Sequence, residues 1–103
     1  MKIEFHPKAA EELSASIAWY EDRRNGLGLE MLSEVDHALA AIAEHPSLWP
    51  AWPGSDDDLS IRRFLLPRFP FALAYVAREE KVVILAVAHL RRRPFYWHDR
   101  AGK

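Results

Sequence analysis

The sequence predicts an α+β fold in the order β-α-α-β-β-β. An N-terminal strand and an antiparallel helical hairpin are expected to pack on an antiparallel sheet. Three observations lead there. Two long segments repeat apolar residues at helical spacing. Three later segments are rich in β-branched and aromatic residues and are separated by turn signals. A proline-rich stretch divides the two halves.

The elements follow in order. Lys2–Phe5, "KIEF", alternates polar and apolar residues as a short half-buried strand does. His6-Pro7 ends it, and Pro7 stands where a helix start tolerates a missing N–H. Lys8–Arg24 reads as a helix with Ala10, Leu13, Ile17 and Tyr20 on one stripe. Asn25-Gly26 supplies a left-handed residue to close it. Leu29–Glu44 is the second helix, with Leu32, Val35, Leu39 and Ile42 on its stripe, and His45-Pro46 stops it. Pro46–Asp58, "PSLWPAWPGSDDD", is a loop, with Trp49 and Trp52 expected to fold back as a lid on the core. Leu59–Leu66, Phe69–Ala77 and Lys81–His89 then form an antiparallel meander through Pro67-Arg68 and Arg78–Glu80. The last strand is apolar on both faces, as a central strand is. The helices cover one sheet face and leave the other for partners.

The chain has 103 residues, half of them apolar, which fits one domain over residues 1–103. It has no cysteine, hence no disulfide framework and no thiolate nucleophile. No signal-peptide pattern opens it, and Val82–Ala88, the longest apolar run, is too short to cross a membrane. A cytoplasmic protein without membrane contact is expected. The net charge of -1 conceals an asymmetry. Residues 1–60 carry four Lys/Arg against twelve Asp/Glu, and residues 61–103 carry ten against three. Such halves either attract each other within the fold or present a basic side to an anionic partner.

No Gly-rich phosphate loop, GxSxG or HExxH is present. The five histidines lack paired ligand spacing, and Asp56–Asp58 alone is a weak cation site, so no metal or cofactor is expected. The chemistry concentrates in Ala86–Arg100, "AVAHLRRRPFYWHDR", and in Ile61–Tyr75. Arg62, Arg63 and Arg68 stand near the start of the meander, and Arg91, Arg92 and Arg93 after its end. If those regions approach, up to six guanidiniums crowd together, and their rigid forks suit phosphate. His89 could move a proton, and Tyr96 and Trp97 could stack on bases. Such a set would suit metal-free RNA cleavage. Equally, the tail could be a packing strap with Phe95 and Trp97 buried and its arginines solvated.

At these residues the chain resembles the RelE/ParE superfamily of type II toxin–antitoxin systems. The resemblance runs from "IEFHPKAAEEL" through "IAWYEDRRNGLGLEML" and "IAEHPSLWP". It is strongest in "IRRFLLPRFPFALAYV" and "VVILAVAHLRRRPFYWHDR", with Phe71 where tyrosine is common. It implies a helical hairpin on an antiparallel sheet and a cognate antitoxin encoded nearby. The "GLG" between the helices and the "RRRPFYW" tail look more ParE-like, which implies a growth inhibitor of DNA gyrase with no cleavage chemistry. In that reading Arg62, Arg91, Arg92, Arg93 and Trp97 bind target or antitoxin. The RelE-like alternative implies an endoribonuclease acting on the ribosome and mRNA. His89 would then be acid–base, Arg63 and Arg68 phosphate clamps, and Tyr96 a stacking or proton-handling group. Four lysines and an acidic N-terminal half count against it. A third reading is an attenuated member that only binds its antitoxin.

Overall fold

The structure, a computed structural model, describes residues 1–55 and 60–102. Its elements are β1 (Lys2–Phe5), α1 (Pro7–Arg23), α2 (Leu27–Glu44), β2 (Arg62–Leu65), β3 (Phe71–Arg78) and β4 (Lys81–His89). A short 3-10 helix, His98–Gly102, follows. The predicted β-α-α-β-β-β order is the observed one. The Asp56–Asp58 run lies outside the described residues, as does Leu59 at the predicted start of the first meander strand.

The sheet order is β1-β4-β3-β2. β2, β3 and β4 form the expected antiparallel meander. β1 joins β4 in parallel, from Lys2 beside Lys81 to Phe5 beside Ile84, so the sheet as a whole is mixed. Parallel neighbours need a long crossover, and the helical hairpin with the meander supplies it. A bulge breaks the β3–β4 register: Ala74 faces Ala86 but Tyr75 faces Ile84, and Leu85 is the extra residue.

The hairpin is built by local chemistry. Pro7 opens α1, and the His6 ring accepts the Lys8 N–H at 3.1 Å. Gly26 does adopt a left-handed φ of 88°, but it starts α2 rather than closing α1. The Glu21 carboxylate of α1 accepts the Gly26 and Gly28 N–H groups, both at 2.9 Å. Those are helix-start donors that α2 cannot satisfy itself. Gly28 is buried because the helices touch there: a Cβ on it would stand 2.7 Å from the Ile17 carbonyl oxygen.

Two apolar layers sandwich the sheet. On the helix side Met31, Val35, Ala38 and Ile42 pack on Leu73, Tyr75, Ile84 and Val87. On the other side Ile61, Ala74, Val76, Leu85 and Ala86 pack under Trp97 and Ala101. This second face, expected to be left for partners, is covered over that area by the C-terminal tail. The tail is the strap: Trp97 is 1 % exposed and carries Trp52 against it at 4.9 Å between ring centroids. An Arg78 guanidinium N–H donates to the Ala101 carbonyl, and Arg100 donates to the Leu85 carbonyl at 2.9 Å. The tryptophan loop does fold back, and it grips both layers. Trp49 joins the helix-side layer against Phe64, while Trp52 joins the strap side.

Candidate functional site

β1 ends beside Ile84, yet β4 runs on to His89. Past Ile84 the outer edge of β4 borders α1 instead of a strand. Glu12 of α1 fills part of the gap: its Oε1 accepts the Val87 N–H at 3.0 Å. Arg100 clasps the same carboxylate with both terminal nitrogens, at 3.1 and 3.0 Å, and Arg92 lies 3.9 Å away. This knot ties α1, β4 and the tail together around the residues flagged in the sequence.

Two hollows open beside it. On the strap side a cleft of about 340 Å³ is lined by Arg63, His89, Arg92, Arg93, Tyr96 and Trp97, with Trp52 at its wall. On the helix side a wedge of about 360 Å³ lies between α1 and the end of β4, and His89 and Arg92 border both hollows. The Arg63 Nε is buried with no hydrogen-bond partner, and the guanidinium sits 5.8 Å from the Trp52 ring centroid. His89 Nδ1 accepts the Arg91 N–H at 3.1 Å. A neutral ring so held carries its proton on Nε2 and presents a donor. The Tyr96 hydroxyl is buried without hydrogen-bond geometry to any partner. Burial first, then the Glu12 charge, pushes it up to about 12, while Arg92 stacks over the ring at 3.7 Å. Tyr96 is therefore a neutral phenol at physiological pH.

The six arginines do not crowd together. In a meander the first and third strands run the same way, so the two sets do not converge as a whole, and of the first set only Arg63 reaches the tail arginines. Arg62 alternates to the helix side, opposite Tyr75, and donates to the Trp49 carbonyl at 2.6 Å. Arg68 sits on α2: its guanidinium pairs with Glu30 at 2.6 Å and its N–H meets Glu34 at 2.9 Å. That ion pair raises Arg68 and, with Arg24, lowers Glu30. Arg91 is exposed outside the cleft, and only Arg63, Arg92 and Arg93 line it. Trp97, expected at a binding surface, is instead a core residue. Sequence reasoning missed Glu12 and Trp19, which lines the wedge and is 52 % exposed. Glu12 reads as an ordinary polar-face residue, and its partner lies 88 positions away.

Among the described residues no group of three His, Asp or Glu is arranged to hold a metal ion, and no helix is long and apolar enough to cross a membrane.

No curated protein matches the sequence significantly. The fold is similar to that of a chain in a structure of the chromosomal ParDE TA system from P. aeruginosa. The TM-score is 0.71 at 18 % identity, over 88 % of this chain and 97 % of that one. Residues 3–94 match the family described as the ParE toxin of the type II toxin–antitoxin system parDE. The chain belongs to the ParE toxin family of type II toxin–antitoxin systems.

Proposed function

We propose that this toxin arrests growth by binding DNA gyrase, performs no cleavage chemistry of its own, and is silenced by a cognate antitoxin. It would act in the cytoplasm, as one domain spanning residues 1–103. The observation that carries this reading is that the nuclease candidates sharing the cleft do not make up a complete catalytic set. Arg68 is bound to Glu30 on α2, away from the cleft. Tyr96 has a buried, neutral hydroxyl, and His89 offers a donor rather than a base. Arg63 and His89 alone do not make an acid, a base and a charge clamp.

The cationic rim of Arg63, Arg92 and Arg93 favours one second reading, a ribosome-dependent ribonuclease that holds phosphate there. Induced expression separates the two. The gyrase reading expects a DNA-damage response with intact mRNA, unchanged by His89→Ala or Arg63→Ala. Rapid mRNA cleavage that either substitution abolishes would establish the nuclease instead.

A further inference from the structure

The strap-side cleft carries donors without acceptors. Arg62 alternates to the helix side of β2, so Arg63 points to the strap side, opposite Ala74. The Arg63 Nε is buried with no hydrogen-bond partner. The ion pairs among the described residues take up Arg24, Arg68, Lys81, Arg92 and Arg100 and leave Arg63 and Arg93 out. His89 adds an Nε2 donor, because its Nδ1 is taken by the Arg91 N–H. Three arginines and a histidine line the cleft, and no Asp or Glu is among its described lining residues. Sheltered donors need acceptors, so this set is complementary to an anion with several oxygens. The rest of the lining is flat and apolar. Trp52 and Phe95 flank Trp97, at 4.9 and 5.6 Å between ring centroids. Loop and tail touch there: a Cβ on Gly54 would stand 3.4 Å from the Phe95 ring. That contact joins Trp52, Pro53 and Phe95 into one wall. At about 340 Å³ the hollow has the volume of a pocket for one small molecule.

We propose that the cleft binds one free nucleoside monophosphate. Its phosphate sits on the Arg63 and Arg93 guanidiniums and the His89 Nε2–H, and its base lies against the Trp52 and Phe95 rings. No bond is made or broken there. The site is separate from gyrase binding and stands whether or not that reading holds.

Titration calorimetry of the full chain with each of the four ribonucleoside 5′-monophosphates tests the site. At least one is expected to bind with a Kd below about 1 mM. Inorganic phosphate and the matching nucleoside, which carry its two halves, should each bind about tenfold more weakly or worse. Arg63→Met should lower affinity about tenfold or more, and Arg93→Met severalfold. Arg91→Met, outside the cleft, should leave it unchanged. The thermal midpoint of Arg63→Met should match the wild type, because the lost Nε had no partner. Should that variant melt early, the exposed Arg93→Met decides. Quenching of tryptophan emission on binding should shrink in Trp52→Phe. No binding of any monophosphate, full affinity in a folded Arg63→Met and in Arg93→Met, or an equal loss in Arg91→Met overturns the site. Inorganic phosphate that binds as tightly as the monophosphate also overturns it, in favour of a plain anion patch. A single-stranded RNA oligonucleotide that binds about a hundredfold tighter overturns it in favour of a polynucleotide groove.

Discussion

Glu12 meets a strand amide with one oxygen and a guanidinium with both, at a side-chain exposure of 16 %. Hydrogen bonds to a charged group that is this sheltered are worth about 1.5–3 kcal/mol each when made, and leaving a partner unmatched costs a similar amount. Glu12→Ala is expected to lower stability by about 2 kcal/mol in urea unfolding, and Glu12→Gln by less. Tyr75 and Tyr96 give a pH signature. Burial raises both hydroxyls from 10.0 to about 12. Between those values the unfolded chain has already lost protons that the folded chain keeps. Stability is therefore full below about pH 10 and falls as pH rises toward 12. Tyr96→Phe removes part of that loss and also a buried hydroxyl without a partner. Its thermal midpoint at neutral pH should match or exceed the wild type, and its alkaline decline should be shallower. An equally steep decline would exclude Tyr96 as a contributing group. None of this was visible in the sequence, because Glu12 and Arg100 gain their meaning only when α1 and the tail converge on one strand edge.

At the scale of elements, both helices and the first and last strands were legible. Periodicity and proline placement report directly on backbone geometry, so β1 and β4 match residue for residue. The first meander strand is shorter, Arg62–Leu65, since Ser60 ahead of it has a left-handed φ of 52° that breaks the extended backbone. In the sequence Asn25-Gly26 marks a turn but not the start of α2, because a left-handed glycine serves either end of a connection this short. Gly28 tests the helix contact. Gly28→Ala forces a methyl against backbone at 2.7 Å, and should cost about 1–3 kcal/mol despite alanine's better helix propensity. A stabilised variant would mean the helices can separate there freely. Trp97 tests the strap. Trp97→Ala removes a side chain that is 1 % exposed and should cost about 3–5 kcal/mol by chemical denaturation. A loss under about 1 kcal/mol would mean the tail is a loose cover.

Across the whole molecule, the opposed charge halves meet one another in part. Glu4–Lys81, Glu30–Arg68 and Glu12–Arg100 each join an acid from the first half to a base from the second. The first two pairs are exposed and contribute little to stability, but they draw down the asymmetry the sequence displays. What stays outward is the run Arg91–Arg93, beside the cleft and the wedge. Topology explains why the site was only half legible. The sequence brought His89, Arg63, Tyr96 and the tail arginines into one discussion, and they do share a cleft. It could not show that Arg62 alternates to the opposite face or that Arg68 is held on α2.

A ParE-family chain whose cleft lacks a complete nuclease set is proposed to act by binding gyrase. Supercoiling of relaxed plasmid by purified gyrase, with added toxin, tests it most directly. The wild-type chain and the His89→Ala/Arg63→Ala double variant are expected to inhibit supercoiling equally, with cognate antitoxin restoring it. Supercoiling that proceeds unimpeded at saturating toxin, or inhibition that vanishes in the double variant, would contradict it.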